Sequence, residues 1–238
     1  MPRTPELSPS VRRGTYRLFE ALSAGRGARI FHPTGAAYEA QFRALVPAGV
    51  RAGLLADARE RPAVVRFSRG LGIPRPLPDF LGLSIRIPDA YGEGAHQDLL
   101  LAAAGRRPPG TFVPRPRSTF FGPAFSSLLP YRIGGELVLV GALAADRPPA
   151  GAVEPLAELE AALARGPLRF TVAVTRLTGR WTPAGVLEIG ARLPDASSAG
   201  LRFNPWNTGD GIEPAGWPNR LRDAAYRGSQ AGRGGVVR

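Results

Sequence analysis

Two histidines are the only side chains in this chain of 238 residues whose ordinary titration lies near neutral pH. His32 sits in the run Arg29-Ile30-Phe31-His32-Pro33-Thr34-Gly35, which a proline and a glycine break. An imidazole there can pass a proton if a neighbour orients it; the alternative for a lone histidine is a structural role. A second chemical feature lies near the C-terminus. Arg222, Tyr226 and Arg233 are spaced by four and seven residues. At about 100° per residue they share one narrow helical stripe, with Gln230 at its edge. A guanidinium beside a phenol favours the phenolate, and a tyrosinate can be the axial ligand of a ferric haem. The plainer reading is an exposed Arg/Tyr face of a terminal helix.

The run Val64-Val65-Arg66-Phe67-Ser68 supplies the remaining pieces. Arg29, Arg66 and Arg233 together offer three guanidiniums, enough to hold two propionates in charge-assisted pairs. Ser68 can hydrogen-bond the ring of His32 and set its orientation. His96 lies in a Gly-rich turn and is assigned no role, and Trp181, Trp206 and Trp217 are read as packing residues.

These residues need elements to position them. Residues 10–23 read as an amphipathic helix with Ser10 as N-cap. After His32-Pro33-Thr34-Gly35 the pattern turns to alternation. Tyr38, Ala40, Phe42 and Ala44 share one face of a strand. Residues 63–68, 81–87, 97–102, 136–143, 168–177 and 185–193 are further strands. Residues 72–79 and 89–94 are turn-rich connectors, and 105–117 form a Pro/Arg loop. Residues 118–129 read as a short helix broken near Gly122-Pro123, and 153–164 as a helix between two strands. A Trp/Pro/Gly-rich loop over 203–218 leads to a final helix over 218–233, which Phe203-Asn204-Pro205-Trp206-Asn207 is placed to cover. Many short strands with a few helices predict an α+β protein built on an antiparallel sheet or barrel.

Composition narrows the classes. At 44% hydrophobic residues the chain can bury a core. It has no cysteine, which excludes disulfides and thiolate metal sites, and two histidines argue against an ordinary zinc site. No apolar run approaches ~18 residues, so no transmembrane helix is expected. The N-terminal stretch has no signal-like apolar run, so a cytoplasmic location is expected. The formal charge is +12, yet all 31 basic residues are arginine and they form no basic run. Gly, Ala and Pro are also heavily used, which fits compositional bias, and nucleic acid is not expected as a partner.

In order along the chain, "RIFHPTG", "VVRFS" and "PDFLGLSIRIPD…HQDLL" resemble the N-terminal barrel of the haem catalases. Arg222, Tyr226, Gln230 and Arg233 are similar in spacing to the proximal helix of that family. The matches bracket residues 29–102 and 218–233. The resemblance implies a single domain on an antiparallel β-barrel of the catalase type, with flanking helices and a C-terminal proximal helix. In that reading residues 1–28 are an N-terminal helical arm, 29–200 the barrel, and 201–238 a loop and the haem-proximal helix. It implies haem b as cofactor, with Tyr226 as the ligand of the iron and Arg222 beside its phenolate. It places Arg29, Arg66 and Arg233 at the propionates, His32 as the distal acid/base, and Ser68 as its hydrogen-bond partner.

Two departures qualify the activity. Where catalases carry a distal Asn, the stretch Asp98-Leu99-Leu100-Leu101-Ala102-Ala103 puts Ala102 or Ala103. An alanine donates no side-chain hydrogen bond to a bound peroxide. The chain is also shorter than a full catalase. The expected function is therefore that of a haem-dependent peroxidase or catalase-like oxidoreductase. Its expected substrate is a small-molecule peroxide, an organic hydroperoxide rather than hydrogen peroxide, with Phe31 as a candidate wall. A homo-oligomer is compatible with this reading. The alternative is a non-catalytic haem or small-ligand binding protein on the same barrel.

Overall fold

The computed structural model describes residues 34–45, 52–74, 77–122, 124–145 and 154–215. His32, Phe31, Arg29, Arg222, Tyr226, Gln230 and Arg233 lie outside these residues, as do the helices expected over 10–23 and 218–233.

Eleven strands form one antiparallel system. They are β1 (Thr34–Ala44), β2 (Glu60–Arg69), β3 (Asp79–Ile87), β4 (Gln97–Ala103), β5 (Pro116–Arg117), β6 (Phe125–Ser126), β7 (Tyr131–Ile133), β8 (Glu136–Ala144), β9 (Leu168–Arg176), β10 (Thr182–Arg192) and β11 (Ile212–Pro214). The order β8-β6-β4-β3-β2-β1-β10-β9 closes on itself because β9 also pairs with β8, giving an eight-stranded barrel. β7 and β11 extend the sheet from β8, and β5 adds to β3.

Period-two alternation decides which side chains enter the barrel. Ala36, Tyr38, Ala40 and Phe42 of β1, Val65 and Phe67 of β2, and Leu81, Leu83, Ile85 and Ile87 of β3 are all buried in one core. Phe67 sits at its centre. Its ring lies 4.9 Å from Phe120, 5.7 Å from Phe170 and 6.0 Å from Tyr38, edge-on or tilted in each case. An eight-stranded barrel has an interior just wide enough to be filled by side chains, and here it is filled.

The described residues are mostly sheet. Helix α1 (Pro155–Leu163) falls within the expected 153–164. Glu154 caps it by accepting from the amides of Leu156 and Ala157 at 2.7 and 3.0 Å, and Leu159 and Ala162 bury its inner face. The six-residue α2 (Asp195–Gly200) follows β10.

Two expectations are corrected. The short helix over 118–129 is absent: Thr119 Oγ1 accepts from the Phe121 amide in a turn, and Phe125–Ser126 forms β6 between β4 and β8. The pull of Phe120, Phe121 and Phe125 into the barrel core outweighs local helical pattern. β1 begins at Thr34 instead of near Tyr38, so Gly35 belongs to the strand and not to a break. Gly35 is required there by close approach: a Cβ would stand 2.6 Å from the Phe67 carbonyl oxygen and 2.9 Å from the Arg66 guanidinium. Strands β7 and β11 are three-residue additions too short to show a period.

Candidate functional site

Strand β2 carries the two described residues expected to act. Phe67 points into the core with no exposure, so Arg66 and Ser68 on either side of it point outward from the barrel. Ser68 is nonetheless only 2% exposed. Its cross-strand neighbours are Gly35 on β1 and Gly82 on β3; Gly82 in turn pairs with Ala102 on β4, and Ala102 with Ser126 on β6. Five adjacent strands therefore present a row of Gly35, Ser68, Gly82, Ala102 and Ser126, with no side chain larger than a hydroxymethyl group.

Arg66 stands one step along β2 from that row, between Ala37 and Ser84. Its guanidinium folds over Gly35. Burial holds its pKa below the usual arginine value, and the like charge of Arg202 lowers it further. Arg202 is thus a second guanidinium close to Arg66. Sequence reading missed it, because it lies in a loop more than a hundred residues away and no local pattern marks it.

The next pair out along β3 and β4 ties that loop down. Asp98, with no exposure, accepts from Arg86 Nε and Nη2 at 2.7 and 2.6 Å. The same carboxylate accepts from the Asn204 amide at 2.8 Å and from Asn207 Nδ2 at 2.9 Å. The Asp98 amide donates to the Asn207 carbonyl at 2.8 Å, and Arg86 Nη2 donates to the Arg202 carbonyl at 2.5 Å. The Arg86 guanidinium also lies 5.1 Å from the centre of the Phe203 ring. Gln97, fully buried, accepts from the Tyr91 hydroxyl at 2.7 Å and donates to the Asn207 carbonyl at 3.4 Å. Hydrogen bonding to Asp98 raises the Arg86 pKa, so the guanidinium keeps its charge. The Asp-Leu motif of β4 therefore docks the stretch 202–208 on the outer face of β3 and β4.

The Asp of Asp79-Phe80-Leu81-Gly82 has a structural task. Its buried carboxylate accepts from the amides of Leu71, Ile73 and Phe80 at 3.0, 3.1 and 2.7 Å and so closes the β2–β3 connection. His96 Nδ1 accepts from the Asp89 amide at 3.1 Å within its own turn, in keeping with its having no assigned role.

Ala103 is 4% exposed and faces the core, whereas Ala102 sits in the row with Ser68. Ala102 is the position whose side chain shares the outer face, and it brings no donor to it.

The row offers a flat apolar group close approach to the strands, with the Arg66 guanidinium lying over its Gly35 end. Arg66 and Arg202 suit that group's carboxylates. A haem fits these residues. Arg66 and Ser68 are the two expected site residues that the described structure brings together; the other five lie outside it.

Neither a protein-family model nor a curated protein sequence matches the chain. Solved structures do. A fungal catalase superposes with a TM-score of 0.60 at 12% identity, over 93% of this chain and 61% of that one. A bacterial catalase gives a TM-score of 0.58 at 15% identity, over 94% of this chain and 60% of that one. The chain spans about 60% of the length of these catalases. At such identities the likeness shows the fold alone, and that fold is the catalase-type β-barrel.

Proposed function

We propose that this chain is a haem-dependent oxidoreductase acting on a peroxide. One observation carries the reading: on a catalase-type barrel, β2 sets a buried Ser68 on a row of small residues with Arg66 one step beside it. His32 lies two residues before the start of β1, at most about 7 Å of extended chain from Thr34. Gly35, the next residue of β1, is the register partner of Ser68.

In this reading Tyr226 would hold the haem iron, with Arg222 beside its phenolate, and Arg29, Arg66 and Arg233 would hold the propionates. When bound, haem would supply the redox chemistry for cleaving a peroxide. His32 accepts the proton of the hydroperoxide and returns it to the leaving oxygen, a role that typically contributes about 10²–10⁴-fold in rate. Ser68 orients the imidazole. Ala102 fixes nothing on the distal side, so the small second oxygen of hydrogen peroxide is poorly held. An organic hydroperoxide is oriented instead by apolar contacts, Phe31 among them.

The test is reconstitution with hemin followed by absorption spectroscopy and turnover. Wild type should show a Soret band that Tyr226→Phe loses or strongly weakens; an unchanged band in that variant refutes the ligand. Wild type should turn over cumene hydroperoxide faster than hydrogen peroxide, and His32→Ala should keep haem but lose most of that activity. Haem retention with no turnover of either peroxide would make the chain a binding protein.

A further inference from the structure

The Pro/Arg loop over 105–117 contributes nothing to the row around Ser68. It forms one side of a cleft of about 870 Å³ that Arg106, Arg107, Arg115, Arg117, Arg180 and Trp181 line. The loop is held shut at its base. The Gly105 amide donates to the Gly110 carbonyl at 2.9 Å, and a Cβ on Gly105 would stand 3.0 Å from the Gly110 Cα. Its return arm is stitched to the end of β4: the Arg115 amide donates to the Ala103 carbonyl at 2.8 Å, and Arg117 Nη2 to the Ala104 carbonyl at 3.1 Å. Two arginines on the outgoing arm and two on the returning arm therefore stand side by side. Arg180 and Trp181 arrive from the turn between β9 and β10. The Trp181 ring lies directly on Gly141 of β8, where a Cβ would come within 2.5 Å of it.

No carboxylate lines this cleft, and among the described residues none of its five arginines forms an ion pair. Elsewhere on the barrel, Arg86, Arg169, Arg176 and Arg192 each reach a carboxylate. Burial lowers the Arg117 pKa, and the charge of Arg115 lowers it further, so the guanidiniums crowd one another. The indole Nε1 of Trp181, a donor only, has no hydrogen-bond partner.

We infer that this cleft is a binding site for a small polyanion carrying two or more phosphate groups. Guanidiniums present planar forks that match phosphate oxygens in pairs, and five of them demand more negative charge than one carboxylate brings. The volume lies within the range of about 300–1,000 Å³ usual for small-molecule sites. Trp181 offers a flat face to any apolar part of the ligand. A nucleic-acid strand would instead call for a long basic track with several stacking aromatics, and Trp181 is the one aromatic lining residue. The lining shares no residue with the Ser68 row, so the inference stands apart from the haem reading.

The experiment is calorimetric titration of the full chain with inorganic tripolyphosphate at low and at physiological salt. Two double variants with equal charge change accompany it: Arg107→Gln/Arg115→Gln in the cleft and Arg169→Gln/Arg176→Gln away from it. Circular dichroism checks that both fold. The expected result is one saturable site per chain, weakened about tenfold or more by the cleft pair and less than about twofold by the remote pair, with affinity falling as salt rises. Absence of saturation, or equal loss in the two double variants, overturns the site. Tighter cleft-dependent binding of a single-stranded oligothymidylate than of tripolyphosphate overturns the ligand class in favour of nucleic acid.

Discussion

Asp98 has no exposure and answers four donors: both Arg86 nitrogens, the Asn204 amide and Asn207 Nδ2. Asp98→Ala strands the Arg86 guanidinium, whose side chain is 15% exposed, and releases the 202–208 stretch. Breaking a buried ion pair by removing one partner costs about 3–5 kcal/mol, and the slight exposure of Arg86 puts this case near the lower end. For a chain of this size, ~3 kcal/mol corresponds to a melting temperature about 6–12 °C lower. Urea and thermal unfolding followed by circular dichroism measure the loss. The double substitution Arg86→Met/Asp98→Leu removes both charges and should recover part of it, because an apolar pair leaves no stranded ion. The unrecovered part belongs to the two asparagines, and faster hydrogen exchange at the Asn204 amide should accompany it. A loss below about 1 kcal/mol for Asp98→Ala, or a double variant no better than the single one, refutes the hub as the loop's anchor.

Three further expectations follow from single positions. Tyr38 is fully buried, its hydroxyl has no partner, and burial followed by the charge of Glu160 pushes its pKa up to about 12. Tyr38→Phe should leave stability unchanged or raise it by about 1 kcal/mol. Between pH 10 and 12 the unfolded chain loses this proton while the folded chain keeps it, so stability falls with rising pH by up to about 1.4 kcal/mol per unit, and the variant should lose that part of the slope. Melting curves at pH 7 and pH 11 decide it; an unchanged alkaline slope in the variant counts against the buried phenol. Ala102→Asn should raise hydrogen peroxide turnover of the hemin-loaded protein, while Ala103→Asn, aimed into the core, should instead cost about 1–3 kcal/mol of stability. Equal effects of the two on turnover would undo the assignment of faces. Arg66→Met should loosen hemin measurably in a competition assay with apomyoglobin, and unchanged transfer rates would remove Arg66 from the propionate end.

The long strands were legible because each is an alternating or continuous apolar run bounded by turn residues. β8, β9 and β10 were expected within a few residues of where they lie. Legibility failed where the signal is not a period. Gly35-Ala36-Ala37 shows almost no hydrophobic contrast, so the start of β1 reads as a break, although the nearby Phe67 carbonyl demands a glycine there. The aromatics of 118–129 mimic a helical spacing, yet they are spent as separate core plugs around a two-residue strand. Within the candidate site, Arg66 and Ser68 could be chosen from type and order along the chain. Arg202 could not, since only the Asp98 hub brings its loop to that face. The choice between Ala102 and Ala103 likewise needed the register, because a one-residue step exchanges core for surface.

That one-residue step also explains how the chain separates folding from chemistry. Val65 and Phe67 alternate with Arg66 and Ser68 on the same five-residue run, so one strand serves the core and the candidate site at once. The core side is saturated: Phe67 is wedged among Tyr38, Phe120 and Phe170, which leaves the barrel no lumen for a ligand. Any ligand must therefore bind on the outer face or at a barrel end. The outer row supplies small residues with guanidiniums beside them, and the β4 end supplies a cleft of guanidiniums without a carboxylate. Asp98 then does on the outer face what Phe67 does within. It holds a distant loop against the strands through the Asn204 amide and Asn207 Nδ2, bonds that are satisfied only when that loop is in place. Substitutions on the core side should thus change stability with little change in ligand specificity, and substitution of the half-buried Ala102 on the outer row should do the reverse.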